Sequence, residues 1–121
     1  MGMNMARRLV QRGHEVVVYN RTSQKTDRIV LEGAAAAYTL SEIAEKLTPP
    51  RIVWLMLPAG PVIDDHLLQL NEILAPGDIV IDGGNTYFKD DIRRAKFLAE
   101  KKICFMDAGV SGGIWGLEIG Y

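Results

Sequence analysis

The chain of 121 residues has one cysteine, Cys104. That excludes an internal disulfide and any metal cluster built on several thiolates. Cys104 sits inside an apolar run, which predicts a small core residue rather than a nucleophile. Such sparing use of cysteine fits a reducing cytoplasm. Long hydrophobic runs are missing as well. None approaches the ~20 residues that cross a bilayer, and Arg7 and Arg8 interrupt the N-terminal stretch where a signal peptide would carry its apolar core. Neither sign of charge is in excess. The 14 Lys and Arg against 15 Asp and Glu leave a net charge of -1. No basic or acidic field therefore points to a nucleic acid or a membrane surface as partner. Internal repeats and low-complexity segments are also lacking. His14 and His66 have no companions that would make a catalytic triad or a metal site, so both read as surface residues. Trp54 and Trp115 read as packing groups.

What is present is ordinary for a single soluble domain: 48% hydrophobic and 24% charged residues. Short apolar runs alternate with helical patterns. Met1, Met5 and Leu9, with Ala6 and Val10, predict an amphipathic helix over Met1–Arg12 stopped by Gly13. A strand is expected at Glu15–Tyr19. A helix over Gln24–Glu32, capped by Thr22 or Ser23, stops at Gly33, and Gly33–Tyr38 reads as a weak strand or loop. Thr39–Ser41 caps a short helix through Leu47. Arg51–Leu57 is a second strand. Pro61 suits the first position of a helix over Val62–Leu74, whose inner face is Ile63, Leu67, Leu70 and Leu74. Ile79–Asp82 is a third strand. A helix over Lys89–Lys101 carries Ile92, Ala95 and Ala99 on one side and pairs Asp90 with Arg94. Ile103–Asp107 is the last strand. Continuous apolar strands alternating with helices predict an α/β, doubly wound (Rossmann-like) parallel sheet, its strands buried on both faces. Ligands in such sheets bind outside the carboxyl ends of the strands.

Three features at those ends carry chemistry. Asn20-Arg21-Thr22 follows the strand that, in dinucleotide-binding folds, reads the adenosine ribose. An acid there selects NAD, whereas a cation pairs with the 2′-phosphate of NADP. Here the residue is Arg21, with a planar fork suited to phosphate and Lys25 one turn on. Gly2, at the head of the first helix, fits the third glycine of a G-x-G-x-x-G fingerprint, since Asn20 follows eighteen residues later. The third feature is a pair of glycine-rich loops, Asp82–Thr86 (DGGNT) and Ala108–Gly113 (AGVSGG). Asn85, the Ser111 hydroxyl, and the backbone N–H groups of Gly112 and Gly113 suit a carboxylate or the hydroxyls of a polyol.

The segments NRTSQK, MLPAG, IVIDGGNTYFKDD and DAGVSGGIWGLEIGY resemble the cofactor domain of decarboxylating 6-phosphogluconate dehydrogenases, in the shorter bacterial-type branch. The resemblance covers essentially the whole chain. It implies oxidation of 6-phosphogluconate by NADP with loss of CO2, giving ribulose 5-phosphate, in a cytoplasmic homo-oligomer. By position it implies that Asn20, Arg21 and Thr22 hold the adenosine phosphate and that Gly2 belongs to the phosphate fingerprint. Leu57, Pro58 and Ala59 would line the cofactor, with Pro58 standing where the family commonly has lysine. Asn85 would touch nicotinamide and substrate, and Ser111, Gly112 and Gly113 would take the substrate's carboxylate end. The family's first, central strand and its first two fingerprint glycines have no counterpart among the 121 residues. Nor does its helical domain, the source of the catalytic lysine and glutamate. No catalytic residue or metal ligand is therefore assigned. The sheet is expected to show a gap, and the isolated chain to be inactive. Relatives of the 3-hydroxyisobutyrate dehydrogenase type share the VSGG loop, so a hydroxyacid dehydrogenase stays open as an alternative. So does a non-catalytic nucleotide-binding remnant.

Overall fold

The computed structural model describes residues 1–121. Its elements run α1 (Gly2–Gln11), β1 (Val17–Tyr19), α2 (Ser23–Val30), β2 (Ala35–Ala37), α3 (Leu40–Lys46), β3 (Ile52–Leu55), α4 (Pro61–Ile73), β4 (Ile79–Asp82), α5 (Phe88–Ala99), β5 (Cys104–Asp107) and α6 (Gly116–Ile119), with a single 3₁₀ turn at Gly113–Trp115. The strands form two parallel sheets, β1-β2 and β3-β4-β5. The expected single sheet is not formed: β1 and β3 are not paired, and each has one sheet neighbour. Two compact units result, Met1–Leu47 with Ser111–Tyr121, and Thr48–Val110.

In the first unit, Val17, Val18 and Tyr19 pair with Ala35, Ala36 and Ala37. The core is Ala6, Ile29 and Ala34, with Met3, Val10, Val16 and Val18 packed on it. The buried stripe of α1 is therefore Met3, Ala6 and Val10. Met1 and Leu9, placed on the inner face by the sequence pattern, are exposed. Both sets have helical spacing, and the short side chain of Ala6 is the one brought fully inside. Thr39 caps α3 as expected: its hydroxyl accepts from the Glu42 N–H at 3.2 Å, while the Glu42 carboxylate accepts from the Tyr38 N–H at 3.0 Å.

In the second unit the register aligns Ile52, Ile79 and Cys104 in one row, and Leu55, Asp82 and Asp107 in another. Ile63, Leu67, Leu70 and Leu74 are buried, as their spacing predicts. The sheet, however, is not covered on both faces. Val53, Leu55 and Val80 are buried, whereas Ile52, Trp54, Cys104 and Met106 of the opposite face are exposed. Cys104 is thus a surface residue and not part of the core. Trp54 likewise stays at the surface, with its indole N–H on the Met56 sulfur at 3.2 Å, and Trp115 is exposed too. Uninterrupted apolar runs carry no alternation, so they cannot say which face is covered.

Helix α5 also departs from expectation. Its inner stripe is Asp91, Arg94 and Leu98, and Ile92 faces solvent. Arg94 is 2% exposed and does not pair with Asp90. Its guanidinium donates to Asp91 Oδ1 at 3.0 Å, to Asp64 Oδ1 and Oδ2 of α4 at 2.9 and 3.2 Å, and to the Gly60 carbonyl at 3.4 Å. A buried cation with two acids at this geometry is stable where an unpaired one is not. A pattern search for apolar residues passes over such a stripe.

Asp78, fully buried, ties β3 to the turn before β4. It accepts from the Arg51 N–H at 2.7 Å, the Ala75 N–H at 2.8 Å and the Arg51 guanidinium at 3.0 Å. Burial pushes its carboxyl up, but these donors outweigh burial and hold it below the usual carboxylate range. Its contribution to stability is therefore present above that range and is lost as pH falls through it. Asp78→Ala strands two backbone donors and a guanidinium. It is expected to lower the unfolding free energy by about 3 kcal/mol and to flatten the acid limb of the stability profile. Urea unfolding between pH 3 and 7 checks both.

Candidate functional site

In the second unit, the loops leaving β3 and β4 meet. Strand β4 ends at Asp82, whose fully buried carboxylate turns the following loop back on itself. Oδ1 accepts from the Gly84 N–H at 2.9 Å and Oδ2 from the Thr86 hydroxyl at 2.7 Å. This is an Asx-type turn closed at both ends. The sheet ladder runs into it through Gly83 N–H to the Leu55 carbonyl and Ala108 N–H to the Asp82 carbonyl, both at 2.9 Å. The loop also presses against its neighbour. A Cβ at Gly84 would lie 2.6 Å from the Leu57 carbonyl oxygen, and one at Gly83 would lie 2.2 Å from the Trp54 indole nitrogen. The structure thus brings Leu57 of one loop against Gly84 of the other. Pro58 and Ala59 follow on the exposed surface, and so does Asn85, whose side chain has no hydrogen-bond partner within the protein.

In the first unit, Asn20, Arg21 and Thr22 come together at the carboxyl end of β1. The Asn20 side-chain oxygen accepts from the Thr22 N–H at 2.8 Å and fixes the turn into α2. Arg21 is exposed and has no carboxylate partner. Gly2 is the first residue of α1. Ser111, Gly112 and Gly113 lie together before the 3₁₀ turn. Gly112 has φ +145°, and a Cβ there would lie 2.8 Å from the Tyr121 ring, so both backbone and space call for glycine. Arg8, which the sequence did not single out, holds the following segment by donating to the Leu117 and Glu118 carbonyls at 3.0 and 3.1 Å.

No sequence pattern marked the buried carboxyl of Asp91 on α5. Burial pushes Asp91 up to about 6, with Arg94 opposing and Asp82 and Asp107 adding to the rise. A polar residue on the inner stripe of α5, facing an acid at a strand end, is the only pattern that would have revealed this group.

Each unit carries one feature that suits a dinucleotide: in the first, the Arg21 guanidinium has no carboxylate partner at the carboxyl end of β1, and in the second, the backbone at Gly84 leaves no room for a side chain at the carboxyl end of β4. The sequence profile of the NAD binding domain of 6-phosphogluconate dehydrogenase matches residues 1–121. The chain belongs to that family. It is 46% identical to the decarboxylating 6-phosphogluconate dehydrogenase of Staphylococcus epidermidis over 99% of its own length and 26% of the relative's. Among solved structures, it superposes on Plasmodium falciparum 6-phosphogluconate dehydrogenase with TM-score 0.89 at 34% identity, covering 97% of this chain and 26% of that one. Mycobacterium tuberculosis 3-hydroxyisobutyrate dehydrogenase gives TM-score 0.85 at 26% identity, covering 96% and 39%. The chain thus spans about a quarter of the length of its curated dehydrogenase relatives. The fold is Rossmann-like α/β and the family one of nicotinamide-dependent oxidoreductases.

Gly84→Ala is expected to cost about 2 kcal/mol, because the clash is with backbone and cannot be relieved by a rotamer change. Gly83→Ala meets side chains instead, and pairing it with Trp54→Ala should recover part of its loss. Thermal unfolding of the three variants checks the contrast.

Proposed function

We propose that residues 1–121 form the cofactor-binding part of an NADP-dependent dehydrogenase that oxidatively decarboxylates 6-phosphogluconate to ribulose 5-phosphate. The observation that carries this reading is the closed Asp82–Thr86 loop, which presents an unpartnered Asn85 at the carboxyl end of β4. Bound NADP would supply the hydride acceptor.

The chain's own residues bind and orient. Arg21, flanked by Asn20 and Thr22, pairs with the 2′-phosphate of the adenosine ribose. Gly2 lets the head of α1 approach the pyrophosphate. Leu57, Pro58 and Ala59 line the cofactor. Asn85 bridges nicotinamide and substrate through its amide donor and acceptor, and Ser111, Gly112 and Gly113 take the substrate's carboxylate end. None of these residues moves a proton in this reading, so the general base and acid come from outside the 121 residues, and the chain alone turns over no substrate. The complete enzyme acts as a cytoplasmic homo-oligomer on a small sugar acid. NADP is favoured over NAD by the absence of an acid after β1, and the Plasmodium relative's structure is described with NADP+ and with 6-phosphogluconate. The second reading, a 3-hydroxyisobutyrate-type dehydrogenase, is favoured by the fold likeness to the Mycobacterium enzyme. Assay of the complete protein with each acid separates the two.

Calorimetry tests the cofactor assignment. Arg21→Ala should weaken NADP+ binding by about tenfold to a hundredfold, the range for a charge-assisted contact, and leave NAD+ within about twofold. Equal losses for both nucleotides would contradict a 2′-phosphate role.

A further inference from the structure

Helix α5 and strand β5 line a cavity of about 240 Å³. Two simple spacings build it. Phe88, Asp91, Ile92 and Ala95 fall on one face of the helix, and Phe105 and Asp107 fall two residues apart, on one side of the strand. The lining is therefore aromatic and aliphatic, and its only charges are two carboxylates. Asp91 is 4% exposed. Its Oδ1 accepts from Arg94 at 3.0 Å, while its Oδ2 is buried with no hydrogen-bond partner. A buried acceptor left without a donor is costly. Arg94 also serves both oxygens of Asp64, so its single charge is divided between two acids. Asp107 is exposed and enters no ion pair. The cavity thus holds more negative charge than its neighbours cancel.

We propose that this cavity binds a small organic cation, a free primary alkylammonium, whose charged end pairs with Asp91 and Asp107 while its stem lies against Phe88 and Phe105. The donor geometry selects the ammonium. It is a point charge with three N–H donors and can serve two separate carboxylates. A guanidinium is shaped for both oxygens of one carboxylate, and at Asp91 the Arg94 side chain already holds Oδ1. A divalent metal wants about six or more oxygen ligands, and no third His, Cys, Asp or Glu joins these two. Phenyl rings attract an organic cation but cannot replace the water shell of a metal. The volume lies below the roughly 300–1,000 Å³ of pockets for drug-sized ligands, so the occupant is a short-chain amine. None of the six lining residues belongs to the proposed dinucleotide site, and the two readings stand or fall separately. Only an ionised Asp91 pairs with the ammonium. Burial above all raises that carboxyl to about 6, with Asp82 at the end of β4 and Asp107 on β5 adding and Arg94 on its own helix opposing. Asp64 of α4 faces it across Arg94. Affinity for the amine therefore falls as pH drops through about 6.

Titration of the 121-residue chain with n-butylammonium chloride, followed by amide and aromatic NMR shifts, tests this. Saturable shifts are expected at Phe88, Asp91, Ile92 and Phe105. n-Butanol, with the same stem and no charge, should bind about tenfold more weakly or worse. Asp107→Asn, at an exposed position, should weaken n-butylammonium about tenfold and leave n-butanol unchanged. Asp91→Asn should weaken it similarly and remove the pH dependence between about pH 5 and 7. Equal binding of n-butanol, or an unchanged affinity in Asp107→Asn, overturns the proposal. The Asp107→Asn result decides this even if Asp91→Asn fails to fold. Magnesium chloride producing the same shifts at lower concentration would overturn it in favour of a metal site. A capped lysine, Nα-acetyl-lysine-N-methylamide, binding more than about tenfold more tightly than n-butylammonium would overturn the free-amine assignment in favour of another protein's lysine side chain.

Discussion

The buried carboxylate of Asp82 is the constraint on which the Thr48–Val110 unit's functional end depends. A strand end is where backbone pairing stops, and the next residues need new partners. Asp82 supplies them by accepting from Gly84 and Thr86, while its own backbone stays in register with Leu55 and Asp107. The loop is therefore an extension of the sheet and not a free tether. Gly83 and Gly84 follow from the same constraint, because a loop drawn this tightly meets Trp54 and the Leu57 carbonyl where side chains would otherwise stand.

Charged groups inside the unit are paired so that they order the backbone. Asp78 stitches the start of β3 to the turn before β4, and Arg94 joins α4 to α5 through Asp64 and Asp91. Such pairs give less net stability than apolar packing of the same volume, but breaking one leaves an uncompensated buried charge. The apolar work is left to Ile63, Leu67, Leu70, Leu74, Val80 and Leu98.

The order of strands and helices was legible in the sequence because apolar runs and capping residues are local signals. The face of α4 was legible for the same reason, with four leucines and isoleucines at helical spacing. The face of α5 was not, because its inner stripe is held by ion pairs across to α4. The stripe of α1 was legible in part: Ala6 and Val10 belong to it, whereas Met1 and Leu9 are exposed and Met3 packs instead, because both sets have helical spacing and only tertiary packing chooses between them. The half-covered sheet, with Trp54 and Cys104 outside, was hidden by runs that show no alternation. At the candidate site, the positions of Arg21 and Asn85, each just after a strand, followed from the strand runs. The burial of Asp91 did not, since it sits on a helix face that an apolar pattern does not mark.

The proposed dinucleotide site depends on the loop shaped by Asp82 forming one of its walls. Amide chemical shifts recorded while NADP+ is added test this. Saturable shifts are expected at Gly83, Gly84 and Asn85, accompanied by Arg21. Shifts confined to other parts of the chain, with the Asp82–Thr86 loop unmoved at saturation, would contradict it.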